Sequence, residues 1–216
     1  HVLHFANHAT DQIIEHISTS LAGAVGDAQP DFLARQALEL VFSLRGESMT
    51  QAKLALEDAL ARLKPSDTFN IVRFDDTFEL VFNDAVRADG ENIQYAKRFV
   101  RNLDADGGTE MLAALDAALV DRNRNDTTRL RQVVFITDGA IGNEQQLFSS
   151  IAQNRGRSTV FTIGIGSAPN SFFMNRAAEL GRGTFTHIGA IDQVKTKMGA
   201  FFAKLENPVM TGLSVQ

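Results

Sequence analysis

Residues 131–139 read Arg-Gln-Val-Val-Phe-Ile-Thr-Asp-Gly, and this stretch decides the fold. The apolar run at 133–136 has the length of a strand and stops at a carboxylate, Asp138, that is followed by a glycine. A run that is apolar at consecutive positions is typical of a parallel strand covered on both faces. In open α/β sheets, ligands bind where such strands end, so the pattern predicts a buried strand that carries Asp138 to a functional edge.

The composition describes a globular chain and excludes several classes of function. The 216 residues are 44% hydrophobic and 22% charged, which is sufficient for one substantial core. The net charge of −5 gives no sign of nucleic-acid binding. The absence of cysteine excludes disulfides, cysteine catalysis and thiolate metal sites. No apolar run reaches the roughly 18 residues that a membrane span needs.

Hydrophobic periodicity predicts alternating strands and helices from residue 38 onward. This order predicts a doubly wound α/β fold, with a mostly parallel six-stranded sheet, one antiparallel edge strand and helices on both faces. The predicted strands are 38–42, 68–74, 78–82, 132–137, 159–165 and 183–187, and the predicted helices are 46–63, 92–103, 111–120, 144–153, 171–180 and 191–205.

The beginning of the chain has a different pattern. Apolar residues recur at helical spacing through Leu21, and a stretch rich in Gly, Ala and Asp follows. We therefore expect an N-terminal helix and linker at 1–37, an α/β domain at 38–207 and a tail at 208–216. The apolar stripe of the helix needs a partner surface, which is either the sheet domain or part of a neighbouring domain.

A second motif lies upstream of the diagnostic strand. Residues 106–111 read Asp-Gly-Gly-Thr-Glu-Met, which places Thr109 between a glycine turn and a helical pattern. A hydroxyl and a carboxylate presented on two loops suit a hard cation such as Mg²⁺. The competing interpretation of Asp138 is a cap for the following turn or helix, but this does not account for the accompanying Thr109 motif.

These stretches together resemble the von Willebrand factor A domain family, in particular the A domains of inter-alpha-trypsin-inhibitor heavy chains and of related bacterial surface proteins. The resemblance covers residues 38–207. It implies a Rossmann-like fold and a non-enzymatic protein-binding or adhesion module in an extracytoplasmic or cell-surface setting. It is carried by the order and spacing of the stretches 46–53, 63–70, 107–111, 135–139 and 161–166.

Members of this family bind metal at a metal-ion-dependent adhesion site (MIDAS). That site joins an Asp-x-Ser-x-Ser loop after the first strand, a threonine from a later loop and an aspartate after the fourth strand. The resemblance assigns the threonine to Thr109, the aspartate to Asp138 and the final serine to Ser43. It implies bound Mg²⁺, with Mn²⁺ or Ca²⁺ as alternatives, and a protein partner that supplies a carboxylate as the last ligand.

The first part of the MIDAS motif departs from the family pattern. Residues 39–46 read Glu-Leu-Val-Phe-Ser-Leu-Arg-Gly, so the leading Asp and the first Ser have no counterpart, and a segment of about six residues is missing. Two explanations stay open. The protein lacks this segment and has lost much of its metal affinity, or the intact protein has it and this sequence joins the two sides of the gap. The close fit on both sides favours the second explanation.

Two other functions remain as alternatives. A metal-free scaffold of the same fold would bind partners through its surface. A Mg²⁺-dependent hydrolase would use Asp138 as acid or nucleophile, but it needs a second carboxylate and usually a lysine at the same site, which the spacing does not supply. The chain has neither a third glycine after Gly164 and Gly166 for a dinucleotide fingerprint nor a P-loop lysine. We therefore expect no enzymatic activity.

Overall fold

Strands and helices alternate along the chain as the sequence predicts. The structure is a computed structural model that describes residues 35–44, 46–103, 110–138, 142–166 and 170–206. The predicted N-terminal helix and the predicted tail lie outside these residues, so the domain limits at 37 and 207 stay predictions.

Within the described ranges, seven strands form one sheet and six α-helices accompany it. A 3-10 turn, Ile191–Gln193, leads into the last helix. The strands are β1 (Gln36–Ser43), β2 (Thr68–Phe74), β3 (Phe78–Leu80), β4 (Val86–Arg87), β5 (Leu130–Thr137), β6 (Thr159–Ile165) and β7 (Arg182–Ile188), and the helices are α1 (Gly46–Arg62), α2 (Gly90–Arg101), α3 (Met111–Leu119), α4 (Glu144–Asn154), α5 (Ser171–Leu180) and α6 (Val194–Leu205).

The strand order across the sheet is β3-β2-β1-β5-β6-β7, and β4 also pairs with β2. The strands β1, β2, β5, β6 and β7 are parallel, whereas β3 and β4 run antiparallel to β2. The predicted fold class is therefore confirmed. The two-residue strand β4 is an addition, because it is too short to leave a periodic pattern. We call the side where the parallel strands begin the amino edge, and the side where they end the carboxyl edge.

Side-chain alternation along the central strand β1 divides the core into two halves. Leu38, Leu40 and Phe42 pack on one face with α1, α2 and α6, whereas Val41 packs on the other face with α3, α4 and α5. Successive residues of a strand point to opposite faces, so a strand covered on both sides must be apolar throughout. Each large apolar side chain buried in this way stabilises the fold by about 1.5–3 kcal/mol.

The order in which strands are added to the sheet changes side at β1. The chain passes from β1 to β2 on one side, and β5 later adds to the other side of β1. The topological switch point therefore lies between β1 and β5, where ligands of this architecture bind beyond the carboxyl ends of the strands.

The described domain begins and ends at the amino edge. The backbone enters β1 at Arg35, and the side-chain amide of Gln36 donates to the carbonyl of Leu205, 2.7 Å away, at the end of α6. The guanidinium of Arg62 pairs with Glu206 at 3.2 Å beside it. Among the described helices, none combines the length and the apolar character needed to cross a membrane.

Candidate functional site

Ser43 and Asp138 lie at the ends of two adjacent strands. Ser43 is the last residue of β1 and pairs in parallel register with Thr137, the last residue of β5, which Asp138 follows directly. Neighbouring strands lie about 4.8 Å apart, so Ser43 lies beside Thr137, and Asp138 follows one residue further along the same edge of the sheet. Both are partly exposed, and they flank the switch point between β1 and β5.

The Ser43 side chain belongs to the sheet face that carries α3. Val41 and Phe135 pack into the core half beneath that helix, and Ser43 and Thr137 follow them by two residues on the same strands. Residues two apart on a strand share a face. The hydroxyl of Ser43 is therefore on the side from which α3 begins.

Thr109, the third predicted site residue, lies outside the described residues. Its successor Glu110 precedes α3, and the backbone N–H of Glu110 donates to the carbonyl oxygen of Asp75 at 2.5 Å. Asp75 follows β2, which is the other neighbour of β1. The start of α3 is thus held at the carboxyl edge, and the joining of Thr109 with Ser43 and Asp138 stays a prediction.

Asp75 belongs to the hairpin turn, as the turn chemistry of the sequence indicates. The backbone N–H of Thr77 donates to its carboxylate at 3.0 Å, and the guanidinium of Arg73 also pairs with it. The bond from Thr77 is the main reason that the pKa of Asp75 lies below its usual value. Asp75 therefore stabilises the turn beside the site.

An aromatic pair lies on the α3 face near the end of β1. The rings of Phe74 and Phe135 stack with centroids 5.5 Å apart and planes 24° apart. Because β2 and β5 are the two neighbours of β1, this pair spans β1 on the face that Ser43 shares. The stack joins the ends of β2 and β5 across β1.

The described donors are of the chemical kind that Mg²⁺ takes. Ser43 offers a neutral hydroxyl and Asp138 a carboxylate, and Mg²⁺ prefers oxygen ligands and keeps several waters. Elsewhere in the described ranges, no three His, Asp or Glu side chains converge in a way that could hold a metal ion. The strand β1 ends at Ser43, and Gly46 begins α1 in the left-handed region at φ 53°.

A cleft on the same edge was not anticipated from the sequence. It has a volume of about 900 Å³ and lies between the first turns of α1 and the 3-10 turn; its lining includes Ser48, Gly166, Gly189 and Asp192. Its only early signal was the pair of glycines that follow the ends of β6 and β7. The cleft widens the concave part of the carboxyl edge beyond the pair Ser43 and Asp138.

Comparison with known sequences identifies the family. Residues 38–187 match a family model described as the von Willebrand factor type A domain. A von Willebrand factor A domain-containing protein of Dictyostelium discoideum is 26% identical over 174 residues, which cover 80% of this chain and 18% of that protein. A human inter-alpha-trypsin inhibitor heavy chain is 24% identical over 187 residues, which cover 80% of this chain and 14% of that protein.

Solved structures share the fold. A von Willebrand factor type A protein from Catenulispora acidiphila superposes with a TM-score of 0.69 at 22% identity, over 80% of this chain and 43% of that one. Proximal thread matrix protein 1 of the mussel byssus, with zinc in its MIDAS motif, superposes with a TM-score of 0.57 at 14% identity, over 79% of this chain and 48% of that one.

The chain spans less than a fifth of these two curated relatives. The family match nevertheless covers most of the chain and includes Ser43 at the end of β1 and Asp138 directly after β5. Sequence, strand order and relatives agree: the chain belongs to the von Willebrand factor type A domain family.

Proposed function

We propose that this chain is a protein-binding module whose carboxyl edge holds a divalent cation, most favourably Mg²⁺. Ser43, Thr109 and Asp138 would supply protein ligands, and a carboxylate of the partner protein would complete the coordination. The observation that supports this proposal is the register of β1 and β5, which pairs Ser43 with Thr137, the residue before Asp138, at the topological switch point.

The chemistry of the donors supports this role. Neutral hydroxyls and a single carboxylate neutralise only part of a dication's charge, so a bound ion would keep an attraction for a partner's Asp or Glu. Family membership is consistent with an interaction module rather than an enzyme. The same kinship supports an extracytoplasmic or cell-surface location, as the resemblance implies.

Calorimetric titration of the full chain with Mg²⁺ and Mn²⁺ tests the site. We expect saturable binding that Asp138→Ala and Thr109→Ala abolish. Asp192→Ala is the matched control, because Asp192 is an exposed carboxylate of the same edge and should leave binding unchanged. Wild-type affinity in both site variants would show that these residues are not ligands.

The missing Asp-x-Ser segment gives a second, independent test. Inserting Val-Ile-Asp-Gly-Ser-Gly between Phe42 and Ser43 restores the family motif, with its additional carboxylate and hydroxyl. We expect the insertion to raise the affinity for Mg²⁺ by about tenfold or more, which corresponds to about 1.4 kcal/mol. Cation binding by the insertion variant alone, with none in the natural sequence, would favour the metal-free scaffold.

The hydrolase alternative makes a different prediction. A hydrolase that uses Asp138 would turn over a generic phosphoester in the presence of Mg²⁺ and lose that activity in Asp138→Asn. We expect no turnover above the blank for either protein.

A further inference from the structure

Arginines lie along the whole amino edge of the sheet. Arg35 precedes β1, Arg129 precedes β5, Arg157 lies two residues before β6, and Arg182 begins β7. Arg87 of β4 pairs with the first residue of β2. Each of the five parallel strands therefore starts beside a guanidinium group.

Part of this charge is neutralised locally. Arg129 pairs with Asp126 at 3.1 Å, and Arg157 pairs with Asp121 at 2.7 Å. Another set of exposed arginines has no carboxylate partner in the described part of the chain: Arg35, Arg87, Arg124 and Arg182. The amino edge therefore carries an excess of positive charge, although the whole chain has a net charge of −5.

One of these arginines is held at a conformational cost. Arg182 adopts φ 61°, in the left-handed region, which costs a non-glycine residue about 1–2 kcal/mol. The glycines on either side cannot carry a side chain there, because a Cβ on Gly181 or Gly183 would lie 2.3 Å or 2.2 Å from atoms of Val160. A residue kept in such a conformation suggests that its side chain is used.

The segment that leads into the amino edge has the opposite charge. Residues 1–34 contain no Lys or Arg and have four acids, Asp11, Glu15, Asp27 and Asp31. They join the described domain at Arg35, within the arginine row. The carboxyl edge would repel these acids, because Asp76, Glu110 and Asp192 are exposed there.

We propose that the arginine-rich amino edge is the docking surface for the acidic segment 1–34 of this same chain. The row from β1 to β7 spans three strand spacings, or about 15 Å. Asp31 and Asp27 precede Arg35 by four and eight residues, and an extended chain covers at most about 3.3–3.6 Å per residue. The two acids can therefore reach across this row. Val120, which is 58% exposed beside the row, offers an apolar contact for the stripe predicted in residues 1–21.

Paired spin labels on the full chain test the docking. The chain has no cysteine, so Ala28→Cys with Asn123→Cys places one label in the segment and one at the amino edge. Ala28→Cys with Thr50→Cys is the control pair, with its second label at the carboxyl edge. Double electron–electron resonance should give a narrow, short distance distribution for the first pair and a broad, longer one for the control.

Charge should govern the short distance. Salt at 1 M, where the screening length is about 3 Å, should broaden the distance distribution of the first pair. The double substitution Asp27→Asn with Asp31→Asn should broaden it as well. Arg124→Glu with Arg182→Glu should act in the same way, whereas Arg176→Glu, an exposed arginine of α5, should not. A distribution unchanged by salt and by the neutral substitutions would overturn the proposal. So would a short distance that disappears when labelled chains are diluted with unlabelled ones, because the contact would then lie between two copies.

Discussion

At the amino edge the parallel strands begin beside arginines, whereas at the carboxyl edge β1 ends in a serine and each of the others is followed directly by an aspartate or a glycine. The amino edge continues into the interior as a buried charged cluster. Arg131 lies 3.5 Å from Glu39 and donates to the carbonyls of Ala118 and Val120 at 2.6 Å and 3.0 Å and to the Ser158 hydroxyl at 2.6 Å. These bonds tie β1, α3, β5 and the start of β6 together.

The carboxyl edge has no such cluster among its described residues. Its side chains are short or partly exposed, and its glycines leave room beside the strand ends. The buried cluster of the amino edge therefore contributes stability, and the carboxyl edge carries the exposed side chains of the proposed cation site. Substitutions at the first should change the free energy of unfolding, and substitutions at the second should change affinity.

The largest effect is expected from Arg131→Leu. The substitution removes the cation beside Glu39 and leaves the two carbonyls and the Ser158 hydroxyl without their donor. Breaking a buried ion pair at one partner costs about 3–5 kcal/mol, and we expect a loss of that size in urea unfolding. The double variant with Glu39→Gln should lose less than Arg131→Leu alone. If Arg131→Leu unfolds like the natural protein, the amino edge does not have the role assigned here.

The pH dependence of Glu39 is the next largest effect. Burial raises its pKa from 4.5 to about 7, against the attraction of Arg131 and with added repulsion from Asp84 and Asp121. Below pH 4.5 Glu39 is protonated in both states. As the pH rises to about 7, the unfolded state loses this proton first, so the folded state loses stability, by about 3 kcal/mol in total.

Urea midpoints measured from pH 5 to pH 8 check this dependence. The natural protein should lose stability over this range, and Glu39→Gln should be flatter and more stable above pH 7. Equal slopes for the two proteins would show that Glu39 does not titrate in this window.

Gly183→Ala should have an intermediate effect. Its Cβ would lie 2.2 Å from the backbone carbonyl oxygen of Val160, so β7 would have to move away from β6. Overpacking of this kind costs about 1–3 kcal/mol. Gly199→Ala in α6 is the matched control, because nothing lies within 4 Å of its Cβ, and it should stabilise the helix by about 0.5–1 kcal/mol. In thermal unfolding, Gly183→Ala should lower the melting temperature and Gly199→Ala should raise it.

The smallest effect on stability is expected from Ser43→Ala at the carboxyl edge. Ser43 is partly exposed at the end of a strand, and substitutions at such positions usually change stability by less than about 0.5 kcal/mol. The same variant should weaken Mg²⁺ binding if Ser43 is a ligand. A large loss of stability with unchanged cation binding would reverse the roles of the two edges.

Sequence reasoning located the central strands well, because their signal is local. The run at 133–136 is apolar on both faces, and this pattern is typical of a covered parallel strand. It could not locate the buried cluster, because Glu39 and Arg131 look like surface residues when each is considered alone. They meet only after β1 and β5 pair with Ala37 opposite Arg131.

The candidate site was predicted from the sequence to a different degree at each residue. Asp138 follows an unmistakable strand, so its place at the carboxyl edge was predictable. Ser43 depended on the family resemblance, and strand pairing brings it next to Thr137. Thr109 lies outside the described residues and stays a prediction. The cleft near Ser48 and Asp192 joins elements distant in sequence, which local patterns do not reveal.

The described backbone begins at Arg35 and ends at Glu206, both next to the start of β1. A pulling force between these ends and a partner held at the opposite edge would therefore act parallel to the strands. Tension would run along β1, whose hydrogen bonds to β2 and β5 lie on both flanks. Sliding β1 out would require many of these bonds to break together rather than one after another. Since resistance to force depends on the unfolding rate, this geometry would suit a tether that must stay folded while it is pulled.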